Sequence, residues 1–371
     1  MEFSIKTDEL AKGLYCAQGI VEKKTAMPIL SNVLIQADKE GKVSISATNL
    51  EVGMTSEHQA EVISSGSIAI SARHAYDIVR SLPTGSVKIK KLESLWAEIR
   101  CDKIEYRMLG AATEDFQALP DVASVAVFKV NQADIKDMIE KTIYAVSSDE
   151  TRYNLNGSFL EKTGSDTFRM VSTDGHRLSM LDARLAEDPN NARFGEGIII
   201  PKKGLLEIKR LLDAEGGDCF LGVEGNNLIF RMSTVMVVMR LLDGRFPEYR
   251  HVVPEKQKIK LRLNKKVFGD SLRRISILSN DRTLGLKLKL SKNILQVTTS
   301  NPDVGEARED LVVEYGGKEL VVGFNARYLL DALSTIETEE VDVSLDDDLS
   351  PCVLHPTDCT TYTCVIMPMR I

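Results

Sequence analysis

Hydrophobic and polar positions along the chain repeat one order of elements three times. Segments beginning near Phe3, Phe128 and Ile259 each open on a two-residue alternation, FSIKT, FKVNQ and IKLRL, which predicts a short strand with one buried face. Helical spacing follows in DELAKGLYCAQGIVEKK, ADIKDMIEKTIYAVSSDETR and NKKVFGDSLRRISILSNDR. Next come two strands joined by a polar turn, in SISATNLEVGM, RMVSTDGHRLSM and QVTTSNPDVGEA. Each copy then runs from a strand into a second helix, in SIAISARHAYDIVRSLP, GIIIPKKGLLEIKRLLD and ELVVGFNARYLLDALST.

The period of about 125 residues far exceeds that of a solenoid repeat, roughly 20–50 residues, so each copy is expected to be a complete domain. The expected fold is α+β, with three similar domains at 1–124, 125–254 and 255–371, each with two helices packed on antiparallel sheets. Three like domains in succession suggest an object built by rotation.

Composition narrows the function classes. The chain has 371 residues, and a hydrophobic content of 43% supports real cores, while a single Trp leaves little for a large aromatic platform. No run of about 18 apolar residues occurs, and no basic segment leads into an apolar core at the N-terminus, so a soluble cytoplasmic protein is expected. The six cysteines include no CxxC pair, which favours ordinary reduced thiols. A net charge of −7 argues against nucleic-acid binding over the whole surface, but leaves room for a basic lining.

Two helical stretches are markedly basic. PKKGLLEIKRLL carries Lys202, Lys203, Lys209 and Arg210 against Glu207, and NKKVFGDSLRRISI carries Lys265, Lys266, Arg273 and Arg274 against Asp270. Acids gather elsewhere, in TEDF, PDVGEARED and IETEEVDVSLDDD. Any one charged helix face is simply solvated, but related basic helices in an acidic chain point to a shared basic surface.

Signatures of phosphate-cradling, dinucleotide, zinc-protease and nucleophile-elbow sites are absent. The cluster Ser172–Arg177 offers Asp174, His176 and Arg177 as an alternative, a small-substrate enzyme site. Its counterparts read ATNLE and TSNPD, so the segment is first of all a polar turn. The five histidines are not spaced as ligand pairs, and neither metal nor cofactor is expected. A third reading is a scaffold without nucleic acid. The chain ends in VIMPMRI, an apolar terminus in which Pro368 should stop a last strand and leave a lip.

The blocks TAMPILSNVLI, ATNLEVGM, RYNLNG, STDGHRLSM, DGRFPEYRHVVP and VIMPMRI, in this order along the whole chain, resemble the bacterial sliding clamp, the beta subunit of DNA polymerase III. The resemblance implies a head-to-tail homodimer forming a six-domain ring around double-stranded DNA, without sequence preference and without catalysis. It implies tethering of DNA polymerase III, contact with clamp-loader subunits and binding of other proteins that carry a clamp-binding motif. A domain of about 125 residues is ~36 Å across, and six in a ring leave a hole of about the same width, enough for a duplex.

By resemblance, a partner-peptide pocket is expected from Leu155, Thr173, Gly175, His176, Arg177, Leu178, Pro247, Val252, Val365, Met367, Pro368, Met369 and Arg370, with His251 where relatives often carry Arg. DNA contacts are expected from Lys24, Arg73, Tyr153, Lys202 and Lys203. At the dimer seam, Ile104 and Tyr106 are expected to meet Ile277 and Leu278, with Lys103 and Arg107 pairing with Asp303, Glu306 and Glu309.

Overall fold

The computed structural model of the chain describes residues 1–22, 26–117, 119–120, 125–185, 195–214, 216–254, 256–280 and 284–370. The first repeat holds β1 (Glu2–Lys6), α1 (Thr7–Ile20), β2 (Asn32–Ala37), β3 (Lys42–Thr48), β4 (Val52–Gln59), β5 (Glu61–Ser64), β6 (Gly66–Ser71), α2 (Ala72–Ser81), β7 (Ser86–Lys91), β8 (Trp96–Cys101) and β9 (Ile104–Leu109). The second holds β10 (Phe128–Val130), α3 (Gln132–Thr142), β11 (Gly157–Lys162), β12 (Phe168–Thr173), β13 (Arg177–Ala183), β14 (Ile198–Pro201), α4 (Lys202–Ala214), β15 (Cys219–Glu224), β16 (Asn227–Met232) and β17 (Val235–Arg240). The third holds β18 (Ile259–Asn264), α5 (Lys265–Ser276), β19 (Gly285–Ser291), β20 (Ile294–Asn301), β21 (Gly305–Val312), β22 (Leu320–Asn325), α6 (Ala326–Thr335), β23 (Glu340–Leu345), β24 (Cys352–Pro356) and β25 (Tyr362–Ile366).

All six expected helices form, but the first helix of each repeat is shorter than its helical stretch. At α1, Val21 turns extended and its N–H returns to the Ala17 carbonyl. The chain after α3 tightens into a 3-10 turn at Ile143–Ala145 before Val146 becomes extended. The apolar periodicity runs past both points, and the β-branched valines favour leaving the helix there.

The chain forms two compact units that do not follow the repeat. One comprises Met1–Ala133 with Lys203–Leu241; the other comprises Asp134–Leu185, Gly195–Lys202 and Leu242–Ile371. In the first unit, the five-stranded sheet runs β5-β1-β7-β8-β9 and the eight-stranded sheet runs β10-β15-β16-β17-β4-β3-β2-β6. The second repeat thus continues the sheet of the first through the antiparallel pair β17–β4, where Val238 faces Gly53. Unpaired backbone groups on an edge strand are satisfied by the next repeat's edge, so one copy does not close its sheet alone. Helix α1 buries Leu10, Leu14 and Ala17 along one stripe, each buried Leu side chain worth about 1.5–3 kcal/mol. Its Gly13 is required by close approach, because a Cβ there would lie 2.6 Å from His58 Nε2.

In the second unit the order is β14-β11-β12-β13-β25-β24-β23-β18, beside a four-stranded sheet β21-β20-β19-β22. Here β13 and β25 make the corresponding junction, with Leu178 facing Val365. Asn264 caps α5 through the Val267 N–H at 3.0 Å, and Asn325 caps α6 through the Arg327 N–H at 2.9 Å. Among the described residues no helix is long and apolar enough to cross a membrane.

Candidate functional site

The polar turn between β12 and β13 is built by side chains. Thr173 Oγ1 donates to the Arg177 carbonyl at 2.6 Å and accepts from the Gly175 N–H at 3.1 Å. Asp174 Oδ1 accepts the N–H groups of His176 and Arg177 at 2.9 and 3.0 Å. Gly175 sits at φ +87°, in the left-handed region. The first repeat builds the same turn: Thr48 Oγ1 accepts from Leu50 N–H, Asn49 Oδ1 accepts from Glu51 and Val52, and Leu50 sits at φ +77°. Even the exit is shared, since Met367 N–H donates to the His176 carbonyl and Arg240 N–H to the Glu51 carbonyl, each at 2.9 Å.

This geometry removes the enzyme alternative at Asp174, His176 and Arg177. Both Asp174 oxygens are spent, because Oδ2 accepts from Arg177 Nε at 3.0 Å. Arg177 also donates Nη1 to Asp331 Oδ2 and Nη2 to the Tyr144 carbonyl, both at 2.6 Å, and its guanidinium lies over the Tyr328 ring at 4.6 Å. Burial works to lower its pKa, but Asp331 and Asp174 hold it above the ordinary arginine value. His176 stacks on Tyr328 with ring centroids 6.4 Å apart. Arg177, a candidate pocket residue, thus also ties β13 to α6.

Around this turn lie the other candidate pocket residues. Leu155, Leu178 and Val365 are buried in one apolar cluster with Val171, Phe246 and Tyr249. All three are buried in the chain by itself. Val252 and Met367 remain 38% and 36% exposed, and Pro247 and His251 are exposed as well. Pro368 ends the ladder of β25, yet Met369 N–H donates to the Gly323 carbonyl at 2.9 Å. The tail is therefore a tethered lip, with Arg370 exposed at its end. Sequence reasoning assigned no role to Tyr144, Tyr328 or Asp331, which hold Arg177; nothing local in the sequence marks them, since all three act across long separations.

The candidate DNA contacts differ in availability. Lys24 lies outside the described residues. Lys203 is engaged by Glu22 at 3.1 Å and by Glu51 at 3.6 Å, so two carboxylates offset its charge. Lys202 is half-buried where β14 enters α4, and burial, reinforced by the Arg177 charge, lowers its pKa. Arg73 is highly exposed, with Asp77 at 3.8 Å. Tyr153 is 51% exposed on a 3-10 turn, Tyr153–Leu155. Several helix cations expected on a shared basic surface are likewise engaged: Lys266 and Arg273 by Asp270, Arg274 by Glu309, and Arg210 by Glu207 and the Tyr15 carbonyl.

Candidate seam residues stand on open edges. Strand β9 ends its sheet with Ile104 and Tyr106 exposed, and β21 ends the four-stranded sheet. Ile277, directly after α5, is 77% exposed, with Leu278 half-buried beside it. The expected charge partners have neighbours within the chain: Arg107 meets Glu105 at 3.0 Å, Glu306 accepts from Ser300 at 3.0 Å, and Glu309 holds Arg274. Lys103 and Asp303 are exposed in turns. Among the described residues no cluster of three or more His, Cys, Asp or Glu could hold a metal ion.

Three sequence-family models match the chain in order: the N-terminal, central and C-terminal domains of the DNA polymerase III beta subunit, at residues 1–120, 129–248 and 250–370. The chain belongs to the beta sliding clamp family. It is similar to the beta sliding clamp of Vibrio cholerae, with 33% identity over 372 residues and 100% of both chains covered. The crystal structure of the DNA polymerase III subunit beta from Pseudomonas aeruginosa matches with a TM-score of 0.92 at 31% identity, covering 100% of both chains. The sliding clamp from Bartonella birtlesii, solved bound to griselimycin, matches equally well, with a TM-score of 0.92, 31% identity and 100% coverage of both chains. As a sliding clamp the chain is a processivity factor for DNA polymerase III and not a catalyst, and its fold is that of three clamp domains. Membership also implies DNA and polymerase as partners.

Proposed function

We propose that two copies of this chain close into a ring around duplex DNA in the cytoplasm, and that each copy takes linear peptide segments of polymerase, clamp loader and other partners at the β13–β25 junction. The tethered lip beside a buried apolar cluster carries the second part. Met367 and Val252 offer exposed apolar surface, Leu155, Leu178 and Val365 are buried in one cluster, and Met367 and Met369 are held by bonds to His176 and Gly323. Apolar anchor side chains are the expected occupants, and griselimycin, bound by the Bartonella birtlesii relative, is a suitable probe. In this reading the domain boundaries fall at 1–124, 125–254 and 255–371.

At the seam, edge strand β9 of one copy adds to β21 of the other, with Ile104 and Tyr106 covering Ile277 and Leu278. Apolar burial supplies most of the closure, because exposed ion pairs contribute about 0–1 kcal/mol each. Grip on DNA is loose: Arg73, Tyr153, Lys24, Lys202 and a partly offset Lys203 attract phosphates without reading bases.

The test is retention. Loaded protein should stay on nicked circular DNA at high salt and leave once the circle is cut. Loss from intact circles that follows salt as closely as short-duplex binding does would overturn the ring.

A further inference from the structure

Beneath the rim of the candidate peptide site lies a buried carboxylate that none of the roles above uses. Glu161 is on β11, 7% exposed, and faces Arg169 across the strand pair β11–β12. Its Oε1 accepts from the Tyr249 hydroxyl, and both its oxygens accept from Arg250 Nη2 at 2.8 Å. Arg169 donates to the Tyr249 hydroxyl at 3.4 Å and is itself held by Asp182 Oδ1 at 2.6 Å and Oδ2 at 2.7 Å. Tyr249 and Arg250 open the 3-10 turn Tyr249–Val252, which carries the rim residues His251 and Val252. The ring of Tyr249 meanwhile packs edge-on to Phe246 in the apolar cluster, with centroids 6.4 Å apart.

We propose that Glu161 is a positioning residue for the peptide site: it fixes the turn Tyr249–Val252 at the height where Val252 and His251 can close over an apolar anchor. The inference rests on the β13–β25 junction being that site. Carboxylate bonds to a phenol and a guanidinium are charge-assisted and directional, and burial strengthens them. Held by two successive residues, the turn loses little freedom when a ligand arrives, and an ordered rim raises apparent affinity in proportion to its population. The first repeat makes the same threonine turn without this device. Aligning Leu30 with Leu155 and Phe116 with Phe246 places Gln36, Leu119 and Pro120 where the second repeat has Glu161, Tyr249 and Arg250. The fold does not require the carboxylate at that position; the junction with the lip has it.

Griselimycin binding to the full-length protein is measured for the parent, Glu161→Gln, Arg250→Gln, the double variant and a chain truncated before Met367. Amide exchange is followed alongside. Weakening by about tenfold in Glu161→Gln is expected, matching a rim ordered about one-tenth of the time. The double variant should bind no more weakly than the worse single variant, because both break one strut. Exchange should quicken at His251 and Val252 and stay unchanged in β12 and β13; a merely structural role would quicken all of them. Should Glu161→Gln fold poorly, Tyr249→Phe removes the hydroxyl's bonds to Glu161 and Arg169 but keeps the ring and the Glu161–Arg250 pair, and about threefold weakening is expected from a partly loosened turn. Truncation that leaves binding intact would overturn the site itself. Truncation that abolishes binding while Glu161→Gln and Tyr249→Phe leave it intact, or additive losses in the double variant, would overturn the role of Glu161 alone.

Discussion

Arg177 Nη1 lies 2.6 Å from Asp331 Oδ2, joining the end of β13 to the middle of α6 across 154 residues of chain. Replacing Asp331 by Ala leaves a largely buried guanidinium short of one carboxylate. Removing one partner of a fully buried pair costs about 3–5 kcal/mol. Asp331 is one-third exposed, so about 2 kcal/mol is expected. Urea unfolding followed at unit-specific probes checks it, with the loss confined to the unit holding β13 and α6. An unchanged urea midpoint would remove Arg177 from its strut role.

Ile277→Asp separates folding from association. A side chain 77% exposed in the isolated chain contributes little to the fold, so stability should move by less than about 0.5 kcal/mol. If Ile277 is covered at the seam, the buried, unpaired carboxylate should cost several kcal/mol there, more than a neutral polar group would. Sedimentation should then show monomers. A dimer of unaltered affinity would displace the seam from this helix end.

The cations divide into engaged and available. Arg73→Ala and Lys202→Ala should each lower the salt dependence of short-duplex binding by about one unit of log–log slope. Lys203→Ala should change it less, because Glu22 and Glu51 already offset that charge. Replacing both carboxylates with Gln should strengthen short-duplex binding. Titrations across a salt series read all four, and equal slopes for the three cation variants would refute the division.

Alkaline pH should destabilise the unit that holds β25. Burial pushes the Cys352 thiol up to about 12, and it also raises Tyr144, Tyr362 and Cys364 above their ordinary values. A folded-state pKa above the unfolded one means the native chain keeps a proton that the unfolded chain releases. The contribution of Cys352 is therefore complete below the ordinary thiol value of 9.0 and is lost as pH rises from there toward about 12. The slope is about 1.4 kcal/mol per pH unit for each such group. Urea midpoints at rising pH should fall above that onset, and less steeply in Cys352→Ala.

The sequence alone determined the threefold order of elements, because strand and helix periodicities and turn chemistry are local. Thr48 and Thr173 build like turns for the same reason: a hydroxyl two residues before a left-handed position can bond the backbone wherever it occurs. Candidate positions at Leu178, Val365 and Met367 were legible through family motifs. Only the tertiary structure decided that β17 completes the sheet of β4, and β25 that of β13, since edge pairing depends on which backbones remain unpaired after each copy folds. It also decided which charges are spent. Lys203 and Arg274 read as basic in the sequence, yet Glu22, Glu51 and Glu309 reach them across 181, 152 and 35 positions. Charge pairing over such separations is set by packing, which no local pattern records.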